Sequence, residues 1–284
     1  MQYHHVDVFS SRPYSGNSLA VFAQADGLTG AQMAQITKEL RHFESIFLVP
    51  QGPMWTARVF DLLDELDFAG HPVIGAACVL HALHGLADEQ TWTIQLKART
   101  VGVTTRRGSR GRYTGVLDQG PAAFLGRPDS ASIASWFSLR PSDLDPDLPP
   151  EIVSTGLRYL VLPVRGTALE SARITIDLGI PLDGIGAQFA YLLDARQMEG
   201  RHWNNDGVVE DVATGSGAGC AAAYLRRHGR IGDGEAATLH QGRFTGRPSQ
   251  MTIAAFGEGE DIRSVHVGGD VVFVGTGRLR ELPQ

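Results

Sequence analysis

The fold is decided by a stretch that occurs twice, as Glu65-Leu-Asp67-Phe-Ala-Gly70-His71-Pro72 and as Glu210-Asp211-Val-Ala-Thr214-Gly215-Ser216-Gly217. Each copy leads from an acidic residue into a glycine-containing turn, and an apolar Ala/Cys-rich run follows that predicts a helix. The first helix is expected over roughly residues 73–84, and the second ends near residue 228. Because a helix that is apolar on all sides is expected to be buried, each one is predicted to lie inside its own curled sheet.

The start of each predicted helix is a potential anion site, because the first backbone N–H groups of a helix have no acceptor within it. If the two halves face each other, an anionic substrate would be held between them beside carboxylates. That arrangement suits the movement of a proton on a molecule that carries a carboxylate.

Around these helices the sequence predicts an α+β fold of two pseudo-symmetric, barrel-like halves, each a mostly antiparallel sheet wrapped round its helix. A linker rich in Pro, Asp and Gly places the boundary near residue 118, which gives halves over residues 1–118 and 119–284. In the first half, Thr29 is expected to cap a helix, and a strand is expected to begin at Glu44. The second half is predicted to contain strands over 159–164 and 172–178. The ligand site is expected where the two domains meet.

Composition limits the classes of function. The chain has 284 residues, 43% hydrophobic and 20% charged, which suits a globular protein. The formal net charge of -6 provides no basic field for a nucleic acid, and no run of residues is long and apolar enough to predict a membrane span. The N-terminus lacks the features of a signal peptide. Only Cys78 and Cys220 are present, which argues against a disulfide scaffold and favours the cytoplasm.

Glu44 is the leading candidate for acid/base chemistry. It follows a predicted helix and enters the apolar strand Glu44-Ser45-Ile46-Phe47. A partly desolvated carboxylate has a raised pKa, which would let it give and take a proton near neutral pH. The commoner role for a glutamate in this position is that of a solvent-facing residue at a strand edge.

His71 and Asp211 are candidates at the two glycine turns. Pro72 at the first helical position places His71 at or beside the helix N-terminus, which disfavours the imidazolium ion and favours a neutral ring. Packing or capping is an equally good explanation of His71. Asp211 either orients a substrate or caps its helix, and capping is the commoner role. Thr214, Gly215 and Ser216 offer backbone N–H groups and hydroxyls to an anion.

The sequence gives little support for a metal or a bound cofactor. His81 and His84 lie three residues apart on a predicted helix, but no third ligand accompanies them, and they are interpreted as helix surface. A phosphate-binding loop ending in Gly-Lys-Ser/Thr and a Gly-x-Ser-x-Gly turn are both missing from the sequence. We therefore expect no metal and no cofactor.

Taken together, these residues resemble the phenazine-biosynthesis PhzF-like family. The matching segments begin with Asp7-Val-Phe9 and Gly16-Asn17, continue through Glu44-Ser45 and the two glycine turns, and end with Gln241-Gly242 and Gly246-Arg247-Pro248-Ser249. The chain departs from the family pattern at Asp67 and Val212, where proline is usual. These changes leave the acid/base residues intact, and we expect them to affect the choice of substrate.

The resemblance implies a diaminopimelate-epimerase-like fold, a cofactor-independent isomerase and a homodimer. It implies that Glu44 shuttles the proton while His71 and Asp211 orient the substrate and assist proton movement. It also implies substrate binding by a further set: Asn17, Ser45, Gly70, Thr214, Gly215 and Ser216. The expected substrate is a small conjugated carboxylic acid in the biosynthesis of a specialised metabolite such as an antibiotic, and neither a nucleic acid nor a membrane is an expected partner.

Two other interpretations stay open at this point. The first is a two-base amino-acid racemase or epimerase in which Cys78 and Cys220 act as a thiol pair, although both lie inside their predicted helices, where buried cysteines usually only pack. The second is a non-catalytic binding protein that keeps the fold. A hydrolase using Ser216 ranks below both.

Overall fold

The computed structural model describes residues 1–284 apart from the side chains at positions 110, 130 and 131. The chain divides into two compact units. Unit 1 comprises Met1–Asp118 with Gly268–Gln284, and unit 2 comprises Gln119–Val267. Residues 268–284 therefore belong to unit 1, whereas the boundary expected from the sequence, near residue 118, places them in the second half. The reason is that the last strand of the chain pairs with the first strand.

Both units are mostly sheet. The elements of unit 1 are β1 (Gln2–Val8), β2 (Asn17–Phe22), α1 (Gly30–Leu40), β3 (Glu44–Gln51), β4 (Met54–Asp61), β5 (Glu65–Leu66), α2 (Gly70–His84), β6 (Glu89–Gln95), β7 (Thr100–Arg107) and β8 (Tyr113–Asp118). The elements of unit 2 are β9 (Ala123–Gly126), α3 (Ser130–Trp136), β10 (Glu151–Ser154), β11 (Arg158–Pro163), α4 (Ala168–Ser171), α5 (Gly179–Gly184), β12 (Phe189–Asp194), β13 (Glu199–Arg201), α6 (Gly215–Arg227), β14 (Ala237–Gln241), β15 (Ser249–Glu258) and β16 (Asp261–Arg278).

The sheet of unit 1 closes into a ring. Its hydrogen-bonded order is β1-β2-β3-β4-β6-β7-β8-β16, and β16 pairs back with β1. Most neighbouring strands are antiparallel, but β2 runs parallel to β3 and β4 runs parallel to β6. In unit 2 the order is β16-β15-β14-β13-β12-β11-β10-β9. The predicted α+β fold class is therefore confirmed.

Helix α2 lies in the centre of unit 1 and contacts β1, β2, β3, β7 and β8. Its residues from Gly70 to His81 are buried, as expected for a helix that is apolar on all sides. A Cβ atom at Gly75 would lie 2.6 Å from Leu19 and 2.9 Å from Val8, so glycine lets the helix approach the sheet closely. The face of β1 and β2 that carries Val8 and Leu19 therefore faces α2.

Helix α6 has the same place in unit 2, where it contacts β10, β11, β12 and β15. Small residues dominate its buried face, and a Cβ atom at Gly217 would lie 2.6 Å from the Tyr191 ring. The helix can therefore pack closely against β12, which carries Tyr191. Within the described residues, no helix is both long and apolar enough to cross a lipid bilayer.

Helix α1 covers the opposite face of the unit 1 sheet. Thr29 caps it as predicted, and Thr29 and Gln32 form a reciprocal capping box. Met33 and Ile36 pack in one cluster with Phe22 and Phe47, whose rings stack with centroids 4.6 Å apart. The unit 1 sheet is therefore buried on both faces in this region.

A hairpin with the same pairing precedes each central helix. Phe60 on β4 pairs with Glu65 on β5, and Trp203 forms a bridge with Glu210. In both copies the glutamate is followed five residues later by the glycine that begins the helix. The hairpins therefore carry the repeated sequence motif into its turn.

The predicted strand over residues 172–178 is wrong. Its alternation of apolar and polar residues comes from Ala172 and Leu178 packing into the core of unit 2. The backbone instead bonds locally and to loops: the Ala172 amide donates to the Ala168 carbonyl, and the Leu178 amide donates to the Asn205 carbonyl. Alternation alone did not distinguish this irregular segment from a strand.

Candidate active site

Glu44 is the first residue of β3, as the sequence predicts, and it pairs with Leu19 in the parallel β2–β3 register. Partners in this register point to the same face, so the Glu44 side chain points toward α2. Only 9% of Glu44 is exposed. Its Oε2 atom lies 3.7 Å from Nε2 of His71. The structure therefore brings together the two leading acid/base candidates of unit 1.

His71 is the second residue of α2 and is buried. The N-cap residue Ala69 has no side chain that could accept a hydrogen bond from the first turn. The Nδ1 atom of His71 lies 3.4 Å from Nδ2 of Asn17. Because an amide nitrogen can only donate, Nδ1 accepts, and the neutral ring then carries its proton on Nε2. That N–H faces the Glu44 carboxylate.

Asn17 and Ser45 differ in how they relate to this pair. Asn17 is buried on β2 and contacts His71 directly. Ser45 is also buried, but it follows Glu44 on a strand, so its side chain points to the opposite face. Its hydroxyl therefore does not join the Glu44–His71 pair. Gly70 is the first residue of α2, directly before His71.

Asp211 in unit 2 is buried and does not cap α6 in the usual way. Its Oδ2 atom lies 2.6 Å from the Thr214 hydroxyl, which is directed to Asp211 and makes no cap contact with the helix. Gln241, at the end of β14, donates from Nε2 to the Asp211 carbonyl at 3.0 Å and to Thr214 Oγ1 at 2.9 Å. The N-cap residue and the acidic candidate are thus held by one buried amide.

Gly215 and Ser216 are the first residues of α6, whose N-cap Thr214 provides no side-chain cap. The Ser216 hydroxyl lies 2.8 Å from the hydroxyl of Tyr159 on β11. Both central helices therefore begin without a side-chain cap. This common feature fits the predicted use of backbone N–H groups for an anion.

A histidine, His202, contacts Asp211 through the backbone, because its carbonyl accepts the Asp211 N–H. Burial lowers the pKa of His202 below its ordinary value of 6.5, and its Nδ1 atom lies 2.8 Å from the Ala190 carbonyl. A neutral ring with a proton on Nδ1 satisfies that contact. Unit 2 therefore presents a neutral histidine beside its acidic candidate.

The interpretation of His81 as helix surface is wrong. His81 is fully buried, with Nδ1 2.7 Å from the Thr105 hydroxyl and Nε2 2.8 Å from the Ala87 carbonyl. Both ring nitrogens are therefore occupied by structural hydrogen bonds. Within the part of the chain whose side chains are described, no group of three or more His, Cys, Asp or Glu residues is arranged to hold a metal.

Sequence reasoning missed the part that four polar residues play in supporting the site. It interprets Asn17 only as a substrate ligand, and it assigns no contribution to Tyr159, Tyr191 or Gln241. A signal existed for Gln241, since the Gln241-Gly242 pair is one of the segments that resemble the family. Tyr159 and Tyr191 lie in apolar strands and give no such signal.

Comparison with known proteins gives matches over nearly the whole chain. A family model described as "Phenazine biosynthesis-like protein" (PhzC-PhzF) matches residues 6–277. A trans-2,3-dihydro-3-hydroxyanthranilate isomerase of Pseudomonas fluorescens is 31% identical over 282 residues, covering 96% of this chain and 97% of the relative. The structure of a predicted epimerase from Pseudomonas aeruginosa is 46% identical, with a TM-score of 0.92 and 99% of each chain covered. A PhzF-family protein of Bacillus anthracis, 22% identical, has a TM-score of 0.85 over 98% of each chain.

Proposed function

This chain is an isomerase of the phenazine biosynthesis-like PhzC-PhzF family, and we propose that it moves a proton on a small conjugated carboxylic acid, with Glu44 as the general acid and base. The observation that carries the proposal is the buried pair in which Glu44 Oε2 lies 3.7 Å from His71 Nε2. At this separation the His71 N–H can donate a hydrogen bond to the carboxylate through one water, or directly once the pair closes around a substrate.

The reaction conserves protons and needs no external reductant or oxidant. The Glu44 carboxylate takes a proton from a carbon next to the conjugated system and becomes a carboxylic acid. The electron pair left on the substrate spreads over its double bonds and carboxylate. A second carbon then takes the proton back, the double bonds shift, and Glu44 returns to the carboxylate.

His71 is proposed to assist this transfer. Because Asn17 holds the His71 proton on Nε2, the ring can donate a hydrogen bond toward Glu44 or the substrate. General acid–base transfer contributes about 10²- to 10⁴-fold. The remainder is assigned to hydrogen bonds that stabilise the delocalised anion, for which Gly70 in unit 1 and Thr214, Gly215 and Ser216 in unit 2 are proposed, with Asp211 orienting the substrate.

The thiol-pair racemase is not favoured by the contacts of the cysteines. Cys78 and Cys220 are fully buried, and burial raises the pKa of Cys78 far above its usual range and that of Cys220 to about 12. The Cys220 thiol also donates to the Val153 carbonyl at 3.3 Å. Protonated thiols are poor bases, so neither can remove a proton from carbon at neutral pH.

Proton NMR in D2O tests the proposal. The panel holds cyclic and linear dienoic acids and amino acids, including trans-2,3-dihydro-3-hydroxyanthranilate, the compound in the name of the Pseudomonas fluorescens relative. We expect deuterium at a carbon whose double bond has shifted, and we expect Glu44→Gln to lower the rate at least about 10²-fold. Glu39→Gln makes the same change at an exposed site of α1 and serves as the control.

Near-wild-type turnover by Glu44→Gln would remove Glu44 from the mechanism. Deuterium at an α-carbon without a double-bond shift would replace the isomerase by a racemase or epimerase, the class for which the similar Pseudomonas aeruginosa protein is named. A bound acid that never exchanges a proton would support the non-catalytic binding protein.

The proposal includes a homodimer, a cytoplasmic location and a role in the biosynthesis of a specialised metabolite. Support for the dimer and the metabolic role comes from the family resemblance, and the two free, buried cysteines fit a reducing compartment. Light scattering of the purified protein tests the dimer directly.

A further inference from the structure

Gln241 ends β14 with its side-chain amide fully engaged in unit 2. Oε1 accepts the Thr214 backbone N–H at 3.2 Å and the Tyr191 hydroxyl at 3.0 Å. Nε2 donates to the Asp211 carbonyl and to Thr214 Oγ1. The orientation of the amide is not ambiguous, because a backbone N–H can only donate and a carbonyl can only accept.

This orientation fixes the direction of the neighbouring hydrogen bonds. Thr214 Oγ1 accepts from Gln241, so the hydroxyl proton is free to point to Asp211 Oδ2, 2.6 Å away. A short contact of this kind is typical of a hydroxyl that donates to an ionised carboxylate. The groups thus form a chain in one direction: Tyr191 to Gln241, Gln241 to Thr214, and Thr214 to Asp211.

We propose that Gln241 is a positioning residue of the isomerase, which acts through Thr214 to hold the Asp211 carboxylate in a fixed orientation. The inference rests on the proposed role of Asp211 in orienting substrate. It assigns a task to the Gln241-Gly242 segment, which the family resemblance marked without a role. The Gln241 amide makes all four of these hydrogen bonds to protein groups, so it acts through Thr214 and does not contact the substrate itself.

Two titratable side chains, His202 and Tyr191, interact electrostatically with Asp211. Burial lowers the pKa of His202 and raises that of Tyr191 well above its usual range, so both are neutral near pH 7. Neither of them therefore offers a positive charge to the Asp211 carboxylate. The hydrogen bond from Thr214 and the contact with the Ala213 backbone N–H, 3.4 Å from Oδ1, hold the carboxylate in place.

Gln241→Glu is the sharpest test, because it keeps the shape of the side chain while removing both N–H donors and adding a negative charge. Both changes disturb the hydrogen bond that orients Asp211. We expect KM to rise about tenfold with little change in kcat, because Asp211 is proposed to orient the substrate while Glu44 carries the proton transfer. Tyr191→Phe removes the first link of the chain and should raise KM by less.

Gln119→Glu is the matched control. Gln119 is another buried amide bound to α6, with Nε2 2.8 Å from the Gly215 carbonyl and Oε1 2.7 Å from the Thr155 hydroxyl. These bonds hold the helix without passing through Thr214. We expect Gln119→Glu, whatever its effect on stability, to leave KM near the wild-type value.

A second readout does not need turnover. The carboxyl ¹³C signal of Asp211, assigned with Asp211→Asn, is compared in wild type and variants at one pH; its chemical shift should change in Gln241→Glu. If Gln241→Glu does not fold by circular dichroism, Thr214→Val removes the hydroxyl that donates to Asp211 and should change the same signal. An unchanged chemical shift, or an equal change in Gln119→Glu, overturns the proposal. Absence of turnover together with a changed chemical shift would reject the proposed function alone.

Discussion

The hairpin that precedes the central helix occurs once in each unit, and its arginine lies in two different environments. In unit 1, Arg58 binds Glu65 through two hydrogen bonds of 2.7 and 2.6 Å, and 37% of the arginine side chain is exposed. In unit 2, Arg201 binds Glu210 through bonds of 2.9 and 2.6 Å, and only 4% is exposed. The spacing of the motif sets the pairing in both.

The surroundings of the two arginines explain the difference. The Arg201 guanidinium lies between the rings of Trp203 and Phe244, at 4.2 and 4.1 Å from their centroids, and it also donates to the Leu169 carbonyl. The Arg58 guanidinium lies farther from its aromatic neighbour, 5.2 Å from the centroid of the Phe60 ring. The same ion pair is therefore a surface contact in unit 1 and part of the core in unit 2.

The largest expected effect comes from breaking the two pairs in the same way. Glu210→Gln leaves the buried guanidinium without a counter-charge and should lower the free energy of unfolding by about 3–5 kcal/mol. Glu65→Gln breaks a partly exposed pair and should cost about 0–1 kcal/mol. Guanidinium denaturation of both variants measures the difference, and equal costs would contradict the role given to burial.

A smaller effect is expected from filling the space that glycine leaves in each central helix. A Cβ atom at Gly217 would press on the buried ring of Tyr191, whose hydroxyl is tied to Gln241, so Gly217→Ala should cost about 1–3 kcal/mol. Gly75→Ala meets the methyl ends of Leu19 and Val8, which can move more easily, and should cost less.

Gly184→Ala in α5 provides the control for these alanine variants, since a Cβ atom there would have no atom within 4 Å. Alanine favours a helix over glycine by about 1 kcal/mol, so its stability should stay the same or rise. Thermal unfolding of the three variants ranks them. A cost for Gly75→Ala as large as for Gly217→Ala would show that the two helices are equally constrained.

The smallest expected effect is a loss of stability at acidic pH. Where the unit 1 hairpin has Val59 between its arginine and its aromatic residue, unit 2 has His202, and burial lowers the pKa of that histidine below 6.5. As the pH falls, the unfolded chain therefore binds the proton before the folded chain does. The stability is fully present above pH 6.5 and is lost as the pH falls from there through the lowered pKa of His202 in the folded chain. The loss should reach up to about 1.4 kcal/mol for each pH unit within that window.

His202→Asn should flatten this loss, because asparagine does not titrate and can still donate to the Ala190 carbonyl. Denaturation curves at about pH 7 and pH 5 give the slope for each protein. His84→Asn, at an exposed position of unit 1, is the matched control. If stability falls with pH as steeply in His202→Asn as in the wild type, a group other than His202 causes the loss.

Much of the fold follows from local signals in the sequence. The apolar runs after the two glycine turns are long enough to identify α2 and α6, and Thr29 and Glu44 begin their elements as predicted. The errors came from features that depend on distant neighbours. Residues 172–178 alternate like a strand without pairing as one, and His81 is polar but buried because Thr105 and Ala87 approach it in space.

The candidate site shows the same limit. The sequence marks Glu44, His71 and Asp211 as chemically suitable, yet it does not reveal that Glu44 approaches His71, since the contact joins β3 to the start of α2. Nor does the sequence reveal that the Ser45 side chain points to the opposite face of the sheet from Glu44. Contacts between residues far apart in sequence, such as Thr214 and Gln241, need the register of the sheet before they can be assigned.

The path of β16 has a consequence for how the chain folds during synthesis. Its residues up to Val267 belong to unit 2, whereas those from Gly268 belong to unit 1 and pair with β1, the first strand of the chain. Unit 2 is a continuous segment, so all of its residues are synthesised before the Gly268–Gln284 segment of unit 1. Unit 1 cannot close its sheet until that segment has been made.

Until then the N-terminal strand lacks one neighbour and presents an open edge, the kind of surface that promotes association between nascent chains. Closing the unit 1 ring also pairs residues as far apart in sequence as Gln2 and Arg278, a highly non-local contact of the kind that slows folding. Removal of residues 268–284 should therefore destabilise unit 1 more than unit 2, although these residues directly follow unit 2 in the sequence.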